Sequence, residues 1–148
     1  MLNDDVALLR SLPMFADVSA AKLKLLALAC HRNHYVSGDV IIQQGADALS
    51  LFILVSGEVE VTREQHAGAI SLARLGAGAI IGELGVVLDS PYSSSVTAAT
   101  DLVVLEIGKA DFLELLKELP QLSMGLIREL ARRLVRTSDL YAKALKGN

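Results

Sequence analysis

Four glycines and one carboxylate crowd into the stretch Gly76-Ala77-Gly78-Ala79-Ile80-Ile81-Gly82-Glu83-Leu84-Gly85. Glycine-dense loops bring main-chain N–H groups close to anions, so phosphate binding is the first chemistry to weigh. A dinucleotide fingerprint needs its third glycine at position 81, which is Ile81, and a helix following inside a parallel βαβ unit. No Gly-Lys-Ser/Thr pair exists, which excludes a Walker-type loop. Strand turns account for Gly76 and Gly78. They do not account for Gly82-Glu83-Leu84-Gly85, where the chain must turn sharply around something. A short turn of helix over 82–87 would aim unpaired N–H groups and a positive dipole end at an anion, and Gly82 and Gly85 would let the backbone approach it. Ser93 and Ser94 carry hydroxyls that can donate to phosphate oxygens.

Other reactive residue types have plainer readings. His31 and His34 are spaced for one helical face, as a metal or haem site requires. They fall where a helix ends before Ser37-Gly38, and the one further histidine is His66, so they read as exposed helix-end residues. A barrel metalloenzyme would cluster its histidines on inward-facing strands. No Gly-x-Ser-x-Gly elbow is present, and Cys30 lies in an apolar helical stripe where a buried thiol is inert. Six basic residues (Arg128, Arg132, Arg133, Arg136, Lys143, Lys146) outnumber Glu129 and Asp139 in the last segment. Without interleaved aromatics they read as a wet helix face rather than a nucleic-acid patch. The chain reads as a binding protein, not an enzyme, with no metal or cofactor.

Composition agrees with one globular domain. The 148 residues are 52% apolar and 21% charged, so the chain is not disordered. A single cysteine rules out an internal disulfide. The net charge of −3 gives no general attraction to nucleic acid or anionic membrane. Apolar runs such as Leu51–Val55 are far below the roughly 20 residues that cross a bilayer, and the N-terminus is acidic where a secretory signal is basic. A cytoplasmic protein is expected.

Three regions must position the glycine loop. Residues 1–34 read as helices, broken at Pro13 and restarted by Ser19 as an N-cap. Residues 35–108 read as a β-roll: Val40–Ile42, Leu49–Val55, Glu58–Thr62, Ile70–Leu75 and Leu102–Ile107 are strand-length runs between glycines. Leu51–Val55 is dense enough for a central strand, and Glu58–Thr62 alternates as a half-buried one does. Residues 109–148 read as helices, with Pro120 at a boundary and one long helix from Gln121 to about Lys146. On it Leu122, Leu126 and Leu130 make one apolar stripe. Ile127, Leu130, Leu134, Thr137, Tyr141 and Ala144 follow steps of three and four, a coiled-coil seam that predicts a homodimer.

The segments Val36–Gly45 and Leu51–Val61 resemble the β-roll of the cyclic nucleotide-binding domain superfamily, and Gly82–Gly85 with Ser90–Val96 resembles its phosphate-binding cassette. Ala131–Ser138 is similar to the dimerisation helix of the bacterial cyclic AMP receptor family. The resemblance implies a mainly β fold: a cyclic nucleotide-binding-type roll with flanking helices. It implies that Glu83 accepts from the ribose hydroxyl, that Gly82, Leu84, Gly85, Ser93 and Ser94 meet the phosphate, and that Thr137 and Ser138 reach the base. The ligand implied is cyclic AMP, with the long helix transmitting its binding to an unidentified downstream protein. That family's DNA-binding helix-turn-helix would follow the long helix; the chain ends at Asn148, so a stand-alone sensor without direct DNA binding is expected.

One position departs from the pattern. Nine residues after the cassette glutamate the family places an arginine that forks onto the phosphate, and here that position is Tyr92. A tyrosine there donates one neutral hydrogen bond. Losing a charge-assisted bond worth roughly 1.5–3 kcal/mol predicts affinity lower by about one to two orders of magnitude. Arg74 or an arginine of the long helix is the available substitute. Two other readings stay open: a closed roll acting as a dimeric interaction module, and a sensor of a cyclic dinucleotide or haem.

Overall fold

The computed structural model describes residues 2–147. They form two compact units, one helical (through Ala27, and from Leu115) and one built of strands (Leu28–Glu114).

The helical unit opens with α1 (Leu2–Ser11), a 3₁₀ turn (Pro13–Phe15) and α2 (Ala20–Ala29). Pro13 fixes the first position of the 3₁₀ turn, whose Met14 and Phe15 are buried. On α2 the buried residues Leu23, Leu26 and Ala27 recur at helical spacing. After α4 (Lys109–Glu118) comes α5, Pro120–Lys146, 27 residues long. Pro120 sits in its first turn, where a missing N–H costs nothing. The buried face of α5 is Leu122, Gly125 and Leu126. Gly125 is there because α5 crosses the 3₁₀ turn at backbone distance: a Cβ would fall 2.0 Å from the Met14 carbonyl oxygen.

The strand unit has eight strands in two antiparallel sheets. They are β1 (His31–Tyr35), β2 (Val40–Ile42), β3 (Ser50–Ser56), β4 (Val59–Gln65), β5 (Gly68–Leu75), β6 (Ile80–Ile81), β7 (Ser95–Ala98) and β8 (Leu102–Gly108). One sheet is ordered β1-β8-β3-β6 and the other β2-β7-β4-β5. A short helix, α3 (Glu83–Leu88), lies between β6 and β7. The core holds Ile42, Phe52, Leu54, Val59, Ile81, Val96, Ala98, Leu102 and Val104. Leu51 and Ile53 are equally buried but point to the opposite face of β3. This is why that run shows no alternation: β3 is an inner strand covered on both sides.

The mainly β roll with flanking helices is as expected, and three strands are additional. β1 replaces a predicted helix end. Its sequence, His31-Arg32-Asn33-His34-Tyr35, has no apolar period, and its pairing with β8 from His31↔Glu106 to Tyr35↔Leu102 holds it extended. Asn33 Nδ2 donates to Glu106 Oε1 at 2.7 Å across that pair. Strand residues three apart face opposite ways, so His31 and His34 share no side. Cys30 is half-buried in the link between α2 and β1, not within the helical stripe. β6 and β7 are short and flank the cassette.

Substituting Gly125 by Ala is expected to lower stability by about 1–3 kcal/mol, because the added methyl meets backbone that cannot rotate away. Urea unfolding of the variant beside the parent measures it.

Candidate functional site

The cassette leaves one sheet at β6 and enters the other at β7. Gly82 has φ +82°, in the left-handed region that glycine tolerates, and it caps α3. A Cβ there would lie 3.1 Å from both Ile42 Cδ1 and Tyr92 Cε1, and 3.2 Å from the Ser50 carbonyl oxygen. At Gly85 it would lie 2.7 Å from Ala48 Cβ and 3.1 Å from the Ser90 carbonyl oxygen. The sequence suggests that these glycines make room for a ligand. In the structure their missing side chains leave space that the roll's own atoms fill. The N–H of Ser90 donates to the Gly85 carbonyl at 3.0 Å and closes the turn.

Glu83 heads α3 and is 4% exposed. It is the one charged residue buried in the strand unit, among the described residues. Leu84 turns its side chain outward, so any part it plays is through its main chain.

Tyr92 does not reach toward an anion. Its hydroxyl donates to the Ser50 carbonyl oxygen and accepts from the Ser50 N–H at 3.3 Å. Its ring packs on the core cluster. The hydroxyl that the sequence offered to a phosphate is thus engaged on both sides by the peptide groups of Ser50. Burial raises the phenol above its ordinary pKa; the bond to Ser50 acts in the opposite sense, and the charge of Glu106 adds a smaller upward push.

Main-chain bonds fasten the rest of the loop. The Gly45 N–H donates to the Tyr92 carbonyl at 2.8 Å, and the Tyr92 N–H donates to the Ala46 carbonyl at 3.0 Å. Ser95 Oγ accepts from the Gln44 N–H at 2.9 Å, and Gln44 Oε1 accepts from the Glu64 N–H at 2.8 Å. Arg63 Nε, on β4, donates to the Ser93 carbonyl at 3.1 Å. Ser93 is exposed and Ser94 half-buried. Sequence reasoning passed over Arg63, although its place on the alternating run Val59, Val61, Arg63 marks an inward position.

Arg74, the expected substitute cation, is elsewhere: it pairs with Glu58 on the surface. The arginines of α5 are also engaged. Arg128 pairs with Asp17 at 3.3 Å, and Arg132, Arg133 and Arg136 gather around Glu129 at 3.4–3.8 Å.

On α5, Thr137 and Ser138 are exposed, as are Ile127, Leu134 and Tyr141. Leu130 is half-buried and stands nearer the face of Leu122 and Leu126. The apolar stripe that faces outward runs Met124, Ile127, Ala131, Leu134, Ser138, Tyr141, Leu145, again in steps of three and four. It shares Ile127, Leu134 and Tyr141 with the sequence-derived seam and differs in its flank. No described helix is long and apolar enough to cross a membrane. Among the described residues no cluster of three or more His, Cys, Asp or Glu forms a metal site.

Residues 32–119 match the family model of the cyclic nucleotide-binding domain. The chain belongs to that family. It is 32% identical over 129 residues to the cyclic AMP receptor protein of Thermus thermophilus, covering 86% of this chain and 59% of that protein. It is 33% identical over 127 residues to an uncharacterized NTE family protein of Mycobacterium tuberculosis, covering 85% of this chain and 21% of that protein. Among solved structures it resembles the catabolite activator protein of Thermus thermophilus, with a TM-score of 0.81 and 31% identity over 90% of this chain and 63% of that one. The chain therefore spans less than two thirds of the length of these relatives. In this chain the residue after Pro91 is committed to the interior of the roll, through the bonds of Tyr92 to Ser50.

Replacing Tyr92 by Phe strands the Ser50 peptide groups and is expected to cost about 1–3 kcal/mol of stability. The phenol's raised folded-state pKa gives a sign as well. Its contribution is complete below the unfolded value, about 10, and disappears as pH climbs through the folded value. Thermal melts from pH 7 to 11 should show a smaller alkaline loss in Tyr92→Phe than in the parent, the remainder including that of Tyr35, whose phenol burial also raises.

Proposed function

We propose that this chain is a regulatory sensor domain, cytoplasmic, that binds a cyclic nucleotide at the cassette between β6 and β7, with cyclic AMP the first ligand to test. It acts by binding and not by turnover, and needs no metal or prosthetic group. The observation that carries the reading is Glu83: a carboxylate buried at the start of α3, on a roll whose core is hydrocarbon. A carboxylate held at that position is an acceptor to which a ribose hydroxyl can donate, and Ser93 and Ser94 carry hydroxyls that can donate to the phosphate.

The same reading makes the chain a homodimer through the outward stripe of α5, with α5 reporting ligand binding to a downstream protein. Seven positions in steps of three and four, with Ile127 and Leu134 more than half exposed, are what a coiled-coil seam requires. A second reading, a closed roll serving as an interaction module, is favoured by one observation: Ile42, Tyr92 and Ala48 fill the spaces beside Gly82 and Gly85.

Calorimetric titration with cyclic AMP, cyclic GMP and cyclic di-GMP separates these readings. Binding of cyclic AMP that falls about tenfold or more in Glu83→Ala supports the first. Heat from none of the three supports the module, and a response to cyclic di-GMP alone reassigns the ligand. For the dimer, Leu134→Glu should sediment as a monomer at concentrations where the parent is a dimer; an unchanged dimer refutes the seam.

A further inference from the structure

Where position 92 is a tyrosine fastened to Ser50, the positive charge for an anionic guest has to come from a different element. The cations near the cassette sort quickly. Lys109 pairs with Asp89 at the end of α3, and Arg74 pairs with Glu58 on the surface. Arg63 is different. It is half-buried, and no carboxylate pairs with it among the described residues.

Its direction follows from the ladder. β4 pairs with β7 through Val59↔Ala98, Val61↔Val96 and Thr62↔Ser95. Val59, Val96 and Ala98 belong to the core and Val61 packs against it. Continuing the register one step sets Arg63 opposite Ser94 on this inward face. The register irregularity between β4 and β5 opposes two pairs on β4, Val61↔Ala73 and Thr62↔Ser71, that skip Leu72, so the extra residue is on β5 and the alternation of β4 is intact. The Nε–H then donates to the carbonyl of Ser93, the residue directly after Tyr92. A guanidinium has five N–H donors in a rigid fork, and one of them is spent on this bond.

We propose that Arg63 is the cationic phosphate-binding residue of this cassette, supplied from strand β4 in place of the loop arginine that Tyr92 displaces. Its Nε holds the loop at Ser93 while its terminal nitrogens face the singly charged phosphate of a cyclic nucleotide beside the Ser94 hydroxyl. The charge arrives from the sheet rather than from the loop, so Tyr92 is free to serve as an internal anchor. The inference rests on the cyclic nucleotide reading of the site given above.

The test is cyclic AMP titration by calorimetry at one fixed ionic strength, using the full chain, Arg63→Gln, Arg63→Lys and Arg74→Gln, with a circular dichroism melt of each. Arg63→Gln is expected to weaken binding about tenfold to a hundredfold, as loss of a charge-assisted bond does. Arg63→Lys, which keeps the charge, should stay within a few-fold of the parent, and Arg74→Gln should equal it. Should Arg63→Gln fail to fold, Arg63→Met keeps the aliphatic stem and carries the same expectation. Parent-like affinity in Arg63→Gln overturns the role of Arg63 and leaves the cyclic nucleotide reading standing. Equal weakening in the Gln and Lys variants also overturns it, by making Arg63 a brace for Ser93 and not a charge donor. A parent chain that binds no cyclic nucleotide overturns both together.

Discussion

The paired hydrogen bonds between the Tyr92 hydroxyl and the Ser50 peptide fix the point where the cassette returns to the first residue of β3. The cassette has to leave one sheet and join the other, and a crossing chain has no ladder partner to define its path. Tyr92 supplies that definition by tying the crossing to β3 with its side chain and to Gly45 and Ala46 with its main chain. Its ring also sets the floor on which Gly82 rests, which ties the left-handed turn at Gly82 to the same residue. One side chain cannot anchor the loop from below and extend a charge above it. On the cyclic nucleotide reading proposed above, that geometric exclusion is why the charge is sought on another element.

The site is in this sense a redistribution of tasks over neighbouring positions. Glu83 keeps a buried carboxylate at the head of α3. Ser95 and Gln44 brace the start of β7 against β4. Arg63 reaches the loop from β4 at Ser93. Each contact is a bond of modest net value, roughly 0.5–1.5 kcal/mol for neutral pairs, and their joint effect is to hold one path for the loop.

Much of this could be read without coordinates, for reasons that differ residue by residue. β4 announced itself because Val59 and Val61 alternate with polar neighbours, and β3 because a covered inner strand has no polar side to show. β1 was hidden: a run such as His31-Arg32-Asn33-His34-Tyr35 acquires its form from β8, a partner seventy residues away in the chain, and local preference says nothing of it. The glycines at 82 and 85 were legible as a cassette but not as to what fills the space beside them, since packing from Ile42 and Ala48 is a tertiary fact. Tyr92 was legible as a missing charge, while its inward direction was not, because the partner is a main-chain group common to every residue. On α5 the three-four spacing was legible, while the half-burial of Leu130 was not, because it depends on what packs beside Leu122 and Leu126.

The length of α5 has its own consequence. At about 1.5 Å per residue, 27 residues make a rod of roughly 40 Å, and its side chains beyond Arg133 are exposed throughout. A rod end without neighbours keeps its shape only through local preferences, which are marginal for so few turns in water. The final turns therefore stand to gain helical order from whatever comes to lie along them, and ellipticity that grows with protein concentration would be the optical mark of that dependence.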